Sequence, residues 1–161
     1  MAVDMFLNLE GEIEGESQDK AHKGEIDVLA WSWGTSQSGS FHVGGGGGAG
    51  KASFQDISVT KWIDNASAIL MLYCANGDHF KKARLTVRKA GKKPLEYLII
   101  DMEKVMVTSV STGGSGGEDR LTENITLNFA KVDVKYKEQK PDGSGGPEKV
   151  FSWDIAANSD A

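Results

Sequence analysis

The sequence is poor in the residues that mark small secreted or low-complexity proteins. It has one cysteine, Cys74, and therefore no internal disulfide and no thiolate cluster for a structural metal. Three prolines in 161 residues exclude a Pro-rich disordered chain. No apolar run approaches the roughly 18 residues that a membrane-spanning helix needs. Lys and Arg number 18 against 23 Asp and Glu, a net charge of -5, which favours neither nucleic acid nor an anionic membrane as partner. The first residues, MAVDMFLNLEGEIEGE, alternate and turn acidic where a secretory signal has a basic start and a continuous apolar run. Any export is therefore expected to bypass an N-terminal signal.

What the chain has in quantity is glycine, 20 residues gathered in loops. Gly44 to Gly50 reads GGGGGAG and is closed by Lys51. Glycine loses more backbone freedom on folding than any other residue, so such a run either stays mobile or is ordered by something outside its own domain. The surrounding stretch, 35–51, has neither a helical nor a strand period, and a loop of that length in a compact domain usually has a task. Gly45 to Lys51 satisfies the G-x-x-x-x-G-K spacing of a phosphate loop. The magnesium-binding Ser or Thr is replaced by Ala52, and a strand-like segment follows where a helix is required. Nucleotide binding is excluded on both counts.

Elsewhere the chain reads as strands. Val3, Met5, Leu7 and Leu9 share a face. Leu29, Trp31 and Trp33 alternate with Val28, Ala30 and Ser32; the indoles need a thick interior, and the small-residue face admits close approach by something else. Ser53 to Trp62 is out of phase with itself, and a bulge or bend would reconcile it. Asp64 to Ala75 is the one helix, capped by Asp64 or Asn65, with an apolar stripe of Ala66, Ile69, Leu70 and Tyr73 and with Gly77 at its end. Cys74 lies beside that stripe and reads as core. Leu95 to Val110 is apolar on both faces around Leu98, Ile99 and Ile100, and a phase slip near Ala130 calls for a bulge or a strand bending around a barrel corner. About eight strands and one short helix predict a mainly β fold, a small β-barrel of two packed antiparallel sheets with one flanking helix. Residues 1–161 are expected to form one domain, with 35–51 as an extended loop within it.

Catalytic chemistry finds little support. His22, His42 and His79 show no ligand spacing, and each reads as a loop or strand-end histidine. The alternating Glu10, Glu12, Glu14 and Glu16 read as a solvated face. Glu118 and Asp119 beside Arg120 fit an ion pair or a subunit contact better than a catalytic pair. No enzyme activity, cofactor or metal is expected. Gly/Ser loops and apolar strands fit a structural protein or a binding module, and a monomeric β-sandwich module for a peptide or sugar stands as the alternative.

Four blocks in order carry a resemblance over nearly the whole chain: DVLAWSWGTSQSG (27–39), GGGGGAGK (44–51), the helical region after KWID, and STGGSGGEDRLTENITLNF (111–129). The sequence resembles the haemolysin-coregulated protein family, Hcp, the tube subunits of bacterial type VI secretion. The resemblance implies a β-barrel subunit that assembles into hexameric rings stacked head to tail inside a contractile sheath. Sheath contraction would expel the tube, tipped by a spike protein, from the bacterial cytoplasm into the extracellular space or a target cell. Small effector proteins would be its cargo, carried or chaperoned in the lumen, with no nucleic acid and no membrane insertion. No fused effector domain is expected. On this reading Ala30, Ser32 and Gly34 face the lumen, with Ser32 the leading cargo contact. The loop of His42, Val43, Gly44, Gly45, Gly46, Gly47, Gly48, Ala49, Gly50 and Lys51 reaches an adjoining ring or subunit. Glu118, Asp119 and Arg120 lie on a loop at the opposite ring face.

Overall fold

A computed structural model describes residues 2–11, 13–42, 48 and 50–161. The alternating strand at the N-terminus forms as its pattern dictates: β1 (Val3–Leu9) sends Leu7 and Leu9 into the core. β2 (Ile26–Ser32) pairs with it antiparallel. Then come the short β3 (Thr35–Ser36) and β4 (Ser53–Phe54), β5 (Ile57–Trp62), α1 (Ser67–Asn76), β6 (His79–Lys89), β7 (Leu95–Thr112), β8 (Thr122–Asn128), β9 (Lys131–Gln139) and β10 (Gly145–Asp154).

Hydrogen bonding joins eight strands into one sheet in the order β10-β9-β7-β6-β1-β2-β5-β8, and β8 pairs back onto β7. That last pairing closes a six-stranded barrel of β7, β6, β1, β2, β5 and β8 and removes its edges. The expectation of two packed sheets is thus corrected to one continuous sheet closed on itself. A separate two-stranded piece, β3–β4, lies at the base of the long loop. Closure is possible because β7 is 18 residues long and changes partner along its length. Its first half pairs with β9 as far as Glu103–Lys131, and its second half pairs with β8 from Met106–Asn128. Between them Lys104 takes the left-handed conformation, φ 55°, which turns the strand. β9 and β10 continue the sheet as a wing beyond the barrel.

The barrel interior is filled by inward residues of every strand, including Leu7, Ile26, Ile57, Val59, Leu85, Ile100, Ile125 and Leu127. The bend near Ala130 is present as a corner: the Ala130 amide donates to Glu103 O at 2.9 Å, and the Ile155 amide donates to Ala130 O at 2.8 Å. Ala66 and Leu70 of the expected helical stripe are fully buried, and Ile69 and Tyr73 pack beside them, so α1 lies on the core as its spacing required. Cys74 is half-buried there too. The helix starts later than the pattern implied, so neither Asp64 nor Asn65 caps it: Ala66 holds the N-cap position without a side-chain hydrogen bond, and Asp64 Oδ1 accepts the Ala66 amide at 2.9 Å ahead of the first turn. Gly77 closes it with φ 73°, donating to Tyr73 O at 3.0 Å, a conformation that a Cβ would oppose.

Candidate functional site

β2 carries the first candidate surface, and its geometry depends on a bulge. The register with β5 runs Val28–Lys61 and then Ala30–Thr60, so one residue is extra at Leu29. Ile26 and Val28 point inward before the bulge; Trp31 and Trp33 pack on the core after it, and Leu29 is left outside, 38% exposed. The sequence pattern that grouped Leu29 with the indoles is corrected accordingly. Ala30 and Ser32 are exposed on the outer face and Gly34 is half-exposed, its carbonyl accepting the Gln55 amide at 3.0 Å.

Around Ser32 the outer surface of β2, β5, β8 and the second half of β7 is built from hydroxyls and amides. Ser32 pairs with Ser58 and Ala30 with Thr60; those two pair in turn with Thr126 and Asn124, and these with Ser109 and Ser111. The middle of this face, among the described residues, carries no ionisable side chain. Its polar groups are tied laterally: Thr60 Oγ1 donates to Asn124 Oδ1 at 2.6 Å, and the Ser109 and Thr126 hydroxyls meet at 2.6 Å. At one margin Asp56 accepts from Thr108 Oγ1 at 2.7 Å and from Asn128 Nδ2 at 2.8 Å. At the other stand Asp27 and Arg120; burial pushes the Asp27 carboxyl above its ordinary range, and the Arg120 charge works against that shift.

The long loop and the loop between β7 and β8 lie at opposite ends of β5. Near its start the clasp β3–β4 pairs Thr35 with Phe54 and Ser36 with Ser53. Trp33 Nε1 donates to Gln55 O at 2.8 Å, and its ring packs 6.1 Å from Phe54 and 6.0 Å from Phe129. Above the clasp, Ser40 Oγ donates to Gly48 O at 2.7 Å and Phe41 is 90% exposed. His42, Gly48, Gly50 and Lys51 are likewise exposed, whereas Val43, Gly44, Gly45, Gly46, Gly47 and Ala49 lie outside the described residues. Past its end the Ile63 amide donates to Leu121 O at 2.8 Å, beside Glu118, Asp119 and Arg120, all exposed. Arg120 does not pair with its acidic neighbours; its guanidinium lies 4.6 Å from the centre of the Trp62 ring.

A matching protein-family model, described as "Type VI secretion system effector, Hcp", covers residues 6–136. The chain belongs to the Hcp family. It is 60% identical, over 164 aligned residues that cover all of both chains, to Protein hcp1 of Pseudomonas aeruginosa. The crystal structure of Hcp1 from Salmonella typhimurium superposes with a TM-score of 0.83 at 38% identity, covering 100% of each chain. A structure described as a type six secretion system protein reaches 0.93 at 29% identity, covering 99% of this chain and 100% of that one. Hcp proteins are structural, non-catalytic tube subunits, and this chain is one of them. A charged groove of about 550 Å³ on the outside of β1, β6, β7 and β9 holds ion pairs: Arg84 and Lys135 both bind Asp101, at 2.6 and 3.2 Å. Among the described residues no helix is long and apolar enough to cross a membrane, and no group of His, Cys, Asp or Glu is arranged to hold a metal.

Two polar clusters were not singled out by sequence reasoning. Lys61 and Glu123 are wholly buried against each other at one end of the barrel, with Asp64 and Ser67 beside them. Their positions were legible, because Lys61 continues the inward parity of Ile57 and Val59, and Glu123 that of Ile125 and Leu127. His22 is the second, 7% exposed and held between Glu25 and Glu96; nothing local signals a partner 74 residues away.

Proposed function

We propose that copies of this chain close into a hexameric ring with the Ala30–Ser32 face turned to the lumen, where it carries small effector proteins. The rings stack head to tail, and sheath contraction expels them, tip spike first, from the cytoplasm without a cleaved signal. The observation that supports this reading best is the uncharged hydroxyl and amide belt on β2, β5, β8 and β7, in a chain where 25% of residues are charged. A belt of that chemistry holds a folded passenger by many weak hydrogen bonds and shape, and its hold is little affected by ionic strength.

Within the ring, contacts are heterologous, so each subunit presents two different surfaces to its neighbours. The loop from His42 to Lys51 reaches the adjoining ring, led by the exposed Phe41, while Glu118, Asp119 and Arg120 are presented at the opposite ring face. Ser32→Gln places a longer side chain on the belt without touching the core. Rings of unchanged mass by light scattering, with effector capture reduced at least tenfold, are the expected result. Undiminished capture at equal ring mass would remove Ser32 from the cargo surface.

A further inference from the structure

The segment between β1 and β2 folds as a flap on the outside of the barrel, and its fastening is the least explained feature of the molecule. The flap is a hairpin-like loop in which the Gly15 amide donates to Gly24 O at 2.8 Å and the Gly24 amide to Ser17 O at 3.0 Å. It covers Phe6, which has the wrong parity for the barrel core and is nonetheless only 4% exposed. His22 supplies the cover: its ring stacks on Phe6 with centroids 4.4 Å apart and planes 10° from parallel.

Both nitrogens of that ring face carboxylate oxygens. Nδ1 lies 2.7 Å from Glu25 Oε2 on the flap, and Nε2 lies 2.7 Å from Glu96 Oε1 on β7. An ionised carboxylate only accepts, so two hydrogen bonds of this length require a proton on each ring nitrogen. A neutral imidazole has one N–H and one lone pair; with two ionised carboxylates it turns the lone pair on one of them. We infer that His22 is a proton-operated latch, closing the flap over Phe6 when doubly protonated and releasing it as pH rises.

The other charges around the ring do not duplicate the latch. Arg88 of β6 lies on Phe6, 5.1 Å from the ring centroid, and binds Asp19 of the flap at 2.5 and 3.0 Å and Asp4 of β1 at 3.1 Å. The hydrogen bond from Arg88 holds the Asp19 carboxyl down at about 2, so this second fastening is constant across the range where histidines titrate. Arg84 of β6 adds positive charge near Glu25 and Glu96 but spends its hydrogen bonds on Asp101. The Asp19 clamp opposes the latch in sign, because it is lost only as pH falls towards about 2. With a neutral ring one of the two His22 contacts is lost, the Asp19 clamp and the Asn65 amide–Glu16 Oε2 contact at 2.8 Å remain, and the flap over Phe6 loosens.

Hydrogen exchange of the Gly15 and Gly24 amides tests this on the intact protein, with protection factors corrected for intrinsic rates between about pH 5 and about pH 9. The latch predicts a fall in protection of about tenfold or more as pH rises, matched by the titration of the His22 ring nitrogens in NMR spectra. Glu96→Gln gives the neutral ring an amide donor for its bare nitrogen, so the fall should shrink at least threefold in that variant. His22→Gln should abolish it. A fall of the same size in both variants, or a wild-type flap indifferent to pH, would overturn the latch. So would a His22 ring that keeps one protonation state throughout.

Discussion

Replacing Lys61 by methionine should be among the most damaging single changes available in this barrel. Its ammonium group is fully buried and donates to Trp62 O at 2.8 Å, Asp64 Oδ1 at 2.9 Å and Glu123 Oε1, with Ser67 Oγ 3.3 Å away. Glu123 is equally buried and also accepts from Ser67 Oγ at 2.6 Å, while its Oε2 has no protein partner. Methionine fills the aliphatic space but leaves the Glu123 and Asp64 carboxylates facing each other without a cation. Removing one partner of a buried pair costs about 3–5 kcal/mol. In a domain of this size that lowers Tm by about 6–20 °C, at about 2–4 °C per kcal/mol. Glu123→Gln should cost less, about 1–3 kcal/mol, because Lys61 keeps Asp64 and the Trp62 carbonyl. The pair Lys61→Met with Glu123→Leu should recover at least half of the methionine loss, since only Asp64, 5% exposed, is then left unpaired. Urea unfolding of the four proteins at one fixed protomer concentration reads these differences, because assembly itself adds stability. Additive losses in the double variant, or a Glu123→Gln loss as large as that of Lys61→Met, would refute the reasoning.

Two further outcomes are expected. Gly15→Ala should destabilise the flap by about 1–3 kcal/mol, since a Cβ there would sit 2.5 Å from Glu25 O and 2.7 Å from Ile26 Cα, both backbone atoms; exchange at Gly24 reads it, and unchanged protection would show that the flap shifts freely. Phe41→Ala should lower ring stacking in sedimentation while leaving ring mass unchanged, and Arg120→Ala, which uncovers Trp62, should do the same from the other end of β5; loss of rings in either variant would move that loop into the side-by-side contact.

Much of the architecture was legible because the barrel obeys strand parity. Leu7, Leu9, Val59, Leu85, Ile125 and Leu127 are buried where alternation puts them, and the helical stripe from Ala66 to Tyr73 lies on the core. The errors fall where the chain changes partner or direction, which no local pattern records. Leu29 was misplaced by one residue of bulge. The untidy phase from Ser53 to Trp62 is a break between two strands in different sheets, with Trp62 turned outward beneath Arg120. The apolar doubling at Leu98, Ile99 and Ile100 belongs to the half of β7 that carries the wing as well as the barrel wall. Among the candidate site residues, Ser32 and Ala30 lie together on one exposed face, because the Trp31 and Trp33 indoles fix the opposite one. What the sequence hides is lateral: the belt around Ser32 is assembled from strands more than ninety residues away, Thr126 among them, held only by the sheet register.

The changeover at Lys104 has a mechanical consequence. One unbroken strand, β7, hydrogen-bonds to the barrel wall along β6, to the closing strand β8 and to the wing strand β9. A load applied along β7 is shared as shear over many rungs at once, so that wing and barrel are displaced together. Bonds would rupture singly only under a force that peels β9 sideways. The subunit is thereby stiffest to load along β7, with its weak axis across it.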